Sequence, residues 1–219
     1  FGTDSIMIGD TTTGTISAAD YNTGLGVGVF AALTSGNNNV AIGASALTAN
    51  TTGAQNVAIG KNAMISNTTG ADNIAIGIFA LEENVEGDFN VAVGREALEA
   101  NTTADNNTAV GYKALTLNTT GTSNTAVGSL ALDANTTASN NTALGFYTLS
   151  ANTTGSENTG VGRGVLPDNT TGSGNTGVGV NVLGANTTAS NNTAVGFNAS
   201  VSNQTGADNT AVGKDALYA

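Results

Sequence analysis

The chain lacks several residue types on which common protein functions depend. Its 219 residues include no cysteine, no histidine and no tryptophan, and only one proline. Without cysteine the chain has no disulfide framework and no thiolate chemistry. Without histidine it also lacks the commonest metal ligand and general base. We therefore predict no catalytic residues, no cofactor, no metal site and no enzymatic activity.

Positive charge and large apolar side chains are also scarce. Five Lys and Arg residues stand against sixteen Asp and Glu residues, and the net charge of −11 opposes binding to nucleic acid or to an anionic membrane surface. Aromatic residues make up 5% of the chain, so any core must be thin. No run of eighteen apolar residues occurs. The start "FGTDSIMIGD" does not look like an export segment, and we expect any such segment or anchor to lie outside this sequence.

What the chain has in abundance is one repeated unit of seventeen residues. "NTTGAQNVAIGKNAMIS", Asn50 to Ser66, is followed at once by "NTTGADNIAIGIFALEE", Asn67 to Glu83. A fixed period of this kind indicates stacked repeats. We divide the chain into atypical capping coils over 1–38, ten regular coils over 39–208 and a partial coil over 209–219. The asparagines that open the "N-V-A-I-G" block at this spacing are Asn39, Asn56, Asn73, Asn90, Asn107, Asn124, Asn141, Asn158, Asn175, Asn192 and Asn209.

Each unit contains two fixed points. The alternating "N-V-A-I-G" block predicts a short strand, and its glycine predicts a corner that needs positive φ or close backbone approach. The next segment, around Ala63 and Met64, is too short for a stable helix and predicts a second strand. "NTTG" then predicts the second corner. The corner residues predicted in this way include Asn56, Gly60, Asn67, Asn107, Gly111, Asn118, Asn141, Gly145 and Asn152.

The expected fold is all-β, a parallel β-solenoid or β-roll of seventeen-residue coils. Successive coils of such a fold stack about 4.8 Å apart, so like residues lie over like residues. Columns of asparagine can then pass hydrogen bonds from coil to coil.

Between the two β-branched positions of each strand stands a small residue. Alternation places it on the opposite face from its neighbours. We expect the β-branched residues to fill the coil and the small residues to form a flat face that meets other copies, with threefold packing favoured over a lone solenoid. The alanines of this predicted inter-chain face include Ala58, Ala75, Ala92, Ala109, Ala126 and Ala143.

These motifs resemble a known group of proteins. The "N-[VT]-A-[IV]-G" strand block with its small-residue spacer resembles the head repeats of trimeric autotransporter adhesins. The longer form of the repeat is "NTAVGYKALTLNTTGTSNTAVGSLAL", Asn107 to Leu132. It looks still more like the "NTAxGxxALxxNTTG" repeats of large bacterial surface and tail-fibre-like proteins. The resemblance covers Asn39 to Asp208 and implies a left-handed β-roll in a homotrimer. It also implies an extracellular adhesive or spacer fibre that has a host or surface receptor and no direct membrane contact. The seventeen-residue period departs from the shorter adhesin spacing.

Two other functions remain open. Open solenoid ends are unpaired strand edges, so coils of separate chains could join end to end as a filament. Stacked threonines, such as Thr51 and Thr52, are compatible with ice binding. We favour ice binding less because those threonines lie at a turn, and the strand-borne Thr108 is replaced by valine or isoleucine in earlier coils.

Charged residues fit structural roles better than a site. The acidic group Glu82, Glu83, Glu86, Asp88, Glu96 and Glu99 is either a cation site or, as we prefer, a solvated face. Asp72, Asp88, Asp105 and Asp208 come just before an opening asparagine and are expected to cap turns.

Overall fold

The computed structural model describes residues 6–9 and 18–218. It divides into two compact units, Phe1–Asn107 (unit 1) and Thr108–Ala219 (unit 2). Each unit is a stack of seventeen-residue coils with one parallel strand per coil, and the described ranges contain no helix. The predicted all-β parallel β-solenoid is confirmed. The division into capping, regular and partial coils stays a prediction, and part of the first stretch lies outside the described residues.

The strands follow one another in chain order and pair with a shift of one repeat. In unit 1, Val40 pairs with Val57, and in unit 2, Thr125 pairs with Thr142. Unit 1 contains β1 (Ile6–Ile8), β2 (Thr23–Leu25), β3 (Val40–Ile42), β4 (Val57–Ile59), β5 (Ile74–Ile76) and β6 (Val91–Val93). Unit 2 contains β7 (Thr108–Val110), β8 (Thr125–Val127), β9 (Thr142–Leu144), β10 (Thr159–Val161), β11 (Thr176–Val180), β12 (Thr193–Phe197) and β13 (Thr210–Val212).

The second strand predicted for each coil is wrong. The segment after the corner glycine consists of turns, in which Ser45 has φ 59° and Leu47 has φ 50°. Left-handed residues at every second position bend the chain and prevent an extended conformation. Hydrogen bonds between coils persist nevertheless, because Leu47 N donates to Ala63 O at 3.1 Å. The coil therefore closes through turns. These turns form hydrogen bonds to the next coil as strands do, but their backbone is not extended.

The interior of most described coils is filled by one leucine or methionine, one alanine or glycine from the strand and one alanine, valine or threonine from the turn. Leu81, Ala75 and Ala80 are all completely buried in their coil, and Leu98 repeats the arrangement in the next. A left-handed leucine costs about 1–2 kcal/mol. Burial of its side chain contributes about 1.5–3 kcal/mol and offsets that cost. Packing in the narrow interior thus overrides the local preference of the backbone.

Candidate functional site

The strand residues show which side of the coil faces outward. Ala75 is 0% exposed, whereas Ile74 and Ile76 on either side of it are each 38% exposed. The predicted inter-chain face of alanines is therefore wrong, because these alanines lie inside the coil of their own chain. The interior has room for alanine beside leucine and no room for valine or isoleucine. The fully buried alanines are Ala58, Ala75, Ala92, Ala109, Ala126 and Ala143.

The outward face of each unit is a regular, uncharged surface. In unit 1, strands β3 to β6 present only valine and isoleucine outward, at the first and third strand positions. In unit 2, the first position is always threonine and the third is valine or leucine, as in Thr142 and Leu144. No charged residue occurs in any described strand. We call this the strand face of each unit.

The corner glycines have the geometry expected of a corner. Gly60, Gly111 and Gly145 have φ values of 141°, 140° and 139°. A Cβ atom on Gly111 would lie 2.5 Å from the carbonyl oxygen of Gly128 in the next coil. Positive φ and close backbone approach both require glycine here. These residues have a structural role, because no side chain projects from them.

The opening asparagines form an internal ladder. Asn73 N donates to Asn56 Oδ1 at 3.0 Å, and Asn141 N donates in the same way to Asn124 Oδ1 at 3.0 Å. Asn107 N donates to the Oδ1 of the asparagine one coil earlier at 3.0 Å. These side chains are fully buried. Their amides satisfy backbone groups that would otherwise be unpaired in the interior.

The "NTTG" asparagines form a second internal ladder. Asn67 Nδ2 donates to Asn50 Oδ1 at 2.9 Å, and Asn152 Nδ2 donates to Asn135 Oδ1 at 3.1 Å. Asn118 Oδ1 accepts the equivalent bond from Asn135 at 2.8 Å. The donor always belongs to the later coil. The hydrogen bonds in this column therefore all run in one direction within each unit.

One carbonyl joins the two ladders in each coil. Gly70 O accepts hydrogen bonds from Asn56 Nδ2 at 2.8 Å and from Asn67 Nδ2 at 3.0 Å. The two asparagines of one coil thus meet at the glycine of its second corner. The asparagine positions of the repeat are consequently scaffold positions, and they are not available to a ligand.

A third column was not expected from the sequence. It lies two residues before each opening asparagine, where Asp88 Oδ1 accepts from Ala71 N at 2.7 Å and Ser139 Oγ accepts from Thr122 N at 3.0 Å. Asp105 Oδ1 accepts from Asp88 N at 2.8 Å, so both carboxylates bond the backbone of the preceding coil, and capping of a turn within their own coil stays a prediction. The sequence contains the clue, because this position is often an acceptor: Asn37, Asp88, Asp105, Ser139, Ser156, Ser173 and Ser190.

The acidic side chains of unit 1 do not converge on one point, and two of them contact separate partners. Arg95 Nη2 lies 2.7 Å from Glu96 Oε1, and Asn62 Nδ2 donates to Glu82 Oε1 at 3.3 Å. Among the side chains that the structure describes, no group of three or more potential ligands is arranged to hold a metal ion. The geometry gives a cation no common binding point in this group.

No protein-family model, curated protein or solved structure matches this chain. Within residues 6–9 and 18–218, no helix is long and apolar enough to cross a membrane.

Proposed function

We propose that the chain is an extracellular structural or adhesive repeat element without enzymatic activity, and that it works by associating with copies of itself and with a surface. The observation that carries this proposal is the half-exposed apolar strand face of unit 1, on which Ile74 and Ile76 are the most exposed residues of β3 to β6. The likeness of its repeats to those of adhesin heads and tail-fibre-like proteins supports the extracellular setting. The proposed receptor is a molecule on the surface to which the assembly adheres.

The strand face suits contact between identical chains. Isolated exposed apolar residues are ordinary, but a continuous apolar surface usually marks an interaction site. Valine and isoleucine on adjacent strands form a flat, stiff surface with few rotamers to lose on association. The chain carries a net charge of −11, and the strands carry none of it. Copies can therefore approach through this face without strong repulsion.

The mass of the purified chain tests self-association directly. We expect light scattering to give a multiple of the 21.4 kDa chain mass, three copies being the arrangement that the resemblance favours. Ile74→Lys combined with Ile76→Lys places two charges on the strand face and should yield monomers with unchanged circular dichroism. The matched control is Thr69→Lys, an exposed position on the "NTTG" corner. Monomeric wild-type chain at all concentrations would contradict self-association.

An end-to-end filament remains the alternative form of assembly, since stacked parallel strands leave unpaired edges. Negative-stain electron microscopy of the same sample separates the two forms. Discrete short particles indicate side-by-side packing through the strand face. Long unbranched filaments that persist in the Ile74→Lys, Ile76→Lys variant indicate joining through strand edges.

Ice binding is a second candidate, favoured by the strand face of unit 2. Its first strand position is threonine in every coil, from Thr108 to Thr210. These hydroxyls form one column at the strand spacing of about 4.8 Å. Unit 1 carries valine or isoleucine at this position from Val40 to Val91. A thermal-hysteresis assay decides the matter, because absence of hysteresis in a concentrated sample removes the idea.

A further inference from the structure

The residue that follows each corner glycine lies on an edge of the coil, next to the strand face. In unit 2 this position holds exposed aromatic residues at Tyr112, Phe146 and Phe197 and the exposed cations Arg163 and Lys214. We call it the corner edge. All five cations of the chain lie at this position or the one after it: Lys61, Arg95, Lys113, Arg163 and Lys214. A strongly acidic chain thus places its few cations at one part of the repeat, which in unit 2 also carries aromatic residues.

A cavity of about 250 Å³ opens on the corner edge of unit 2. Its shape depends on Gly164, whose φ of 58° is close to the values of 56° for Tyr147 and 53° for Asn181 at the same place in the adjacent coils. The backbone is therefore regular, and the missing side chain at Gly164 leaves a gap in the column. The residues that line the cavity are Phe146, Tyr147, Arg163, Gly164, Pro167, Asp168 and Asn181.

Two aromatic rings form one wall of the cavity. Phe146 is 51% exposed and Tyr147 is 43% exposed, and their ring centroids lie 6.0 Å apart with an angle of 32° between the planes. Exposed, paired aromatic rings are rare on a chain with 5% aromatic residues. Large apolar surface with few rotatable bonds makes such rings effective binding anchors.

The cavity is also lined by polar residues. Arg163, Asp168 and Asn181 are all exposed. The guanidinium only donates hydrogen bonds, the carboxylate only accepts them, and the amide does both. The backbone at Gly164 and Asn181 is fixed by ladder bonds, since Gly164 N donates to Phe146 O at 3.0 Å and Asn181 N donates to Arg163 O at 3.1 Å. A ligand would therefore meet a largely preformed site.

We propose that this cavity binds a sugar ring of a neutral polysaccharide. The apolar C–H face of a pyranose packs against the aromatic pair, and its hydroxyls, which both donate and accept, match the mixed polar wall. The ligand is neutral because the cavity balances one cation, Arg163, with one carboxylate, Asp168, within a chain of net charge −11. An acidic polymer would be repelled by the rest of the surface.

A partly similar group occurs three coils later on the same unit, where Asn198 and Asp215 stand at the positions of Tyr147 and Gly164. Phe197 and Lys214 stand at the positions of Phe146 and Arg163, and they line a cavity of about 510 Å³ together with Asn198, Asp215 and Tyr218. Three coils correspond to about 14 Å along the stack. Two sites on one edge can hold one polymer chain at two points and raise its apparent affinity. The inference deepens the proposed adhesive function by naming the class of receptor.

Affinity gel electrophoresis of the whole chain tests the proposal, with dextran, mannan, galactan and xylan cast separately into native gels. At least one of these neutral polymers should retard the wild-type chain. Phe146→Ala should weaken that binding about tenfold, and Phe146→Ala combined with Phe197→Ala should nearly abolish it. The matched control is Phe89→Ala, which removes an equally exposed aromatic residue from a different edge in unit 1. It should leave retardation unchanged.

Gly164→Tyr provides a variant that keeps the fold. Its backbone already has the conformation of Tyr147, so the new ring should fill the cavity and abolish binding there, while the left-handed backbone lowers the melting temperature only modestly. No retardation by any neutral polymer overturns the inference. Retardation by alginate alone, lost in Arg163→Gln, also overturns it. A chain that self-associates and adheres to cell surfaces without binding polysaccharide would retain the proposed function and lose only this site.

Discussion

Gly160 in β10 lies against Thr148 of the preceding coil, so that a Cβ atom on Gly160 would come within 2.6 Å of Thr148 Cγ2. Most strands have alanine at the place of Gly160, and the earlier coils have alanine, for example Ala131, at the place of Thr148. The larger side chain on the turn is thus matched by a smaller one on the strand. Gly177 and Val165 repeat the exchange one coil later.

Gly160→Ala should therefore destabilise unit 2 by about 1–3 kcal/mol through overpacking. Thr148→Ala relieves the contact but loses the hydrogen bond from Thr148 Oγ1 to Gly162 O, which measures 2.5 Å. A double-mutant cycle followed by urea unfolding measures the coupling. The double variant should lose less free energy of unfolding than the two single variants lose together, by about 0.5–3 kcal/mol. Simple additivity would show that the two residues do not share one space.

Truncation of a ladder asparagine should be much more damaging than truncation of an exposed neighbour. Asn135→Ala removes the donor to Asn118 Oδ1 at 2.8 Å and the acceptor of Asn152 Nδ2 at 3.1 Å. Leaving buried polar groups unpaired costs about 1–3 kcal/mol each, so a loss of about 3 kcal/mol or more is expected in thermal unfolding. Thr137→Ala, on the same corner but exposed, should change stability by less than about 0.5 kcal/mol.

The corner glycines should tolerate no side chain. Gly111→Val places a branched side chain at φ 140°, with Cβ 2.5 Å from Gly128 O and 2.6 Å from Gly128 C. Backbone strain and the clash together should cost about 3 kcal/mol or more. Gly164→Ala is the control for the clash, because it is also left-handed (φ 58°) but its nearest contact is Asn181 Oδ1 at 3.4 Å, so it should cost only about 1–2 kcal/mol. Equal melting temperatures for the two variants would mean that the corner geometry is wrong.

Asp133 should make stability depend on pH. Desolvation by burial raises the pKa of its carboxyl above the ordinary 3.8, against the opposing effects of a backbone hydrogen bond and of Lys113. The folded chain consequently binds this proton more tightly than the unfolded chain. Its contribution to stability is present below the ordinary pKa and is lost as pH rises through the raised value.

Asp133→Asn keeps the shape of the side chain and removes its charge. It should raise the melting temperature at neutral pH relative to wild type, and the difference should shrink as the pH falls below the ordinary pKa of the carboxyl. Asp168→Asn, at an exposed position, serves as the control for a general loss of negative charge. A benefit of the same size in both variants at neutral pH would assign the effect to net charge.

The sequence predicts the stacking of coils well because every column needs the same residue in each copy. The register of Asn56 over Asn39 and the need for glycine at Gly60 both follow from the period. Alternation also places Ala58 and Ile59 on opposite faces, but it does not say which face is inside. From the sequence we expect the larger isoleucine to face the interior and the alanine to face outward. The interior is instead occupied by Met64 and its leucine equivalents, so isoleucine faces outward.

The turn segment and the cavity lay beyond sequence reasoning for different reasons. Nothing in the helix or strand propensity of Leu47 indicates a left-handed conformation, which arises because the closed coil buries its side chain. The cavity on the corner edge depends on Gly164 and Pro167, and these depart from the repeat only as single letters. Only the stacking of the coils shows that Gly164 and Pro167 line one cavity together with Phe146.

The two asparagine ladders make each coil a template for the next, since most of their amides bond to groups in the adjacent coil. Adding or deleting a whole repeat leaves each amide with a partner, whereas a shift of one residue would strand the amides of every later coil. Gene duplication and loss can therefore change the number of coils by whole repeats. The length of the stack can vary in this way during evolution while the fold of each coil stays the same.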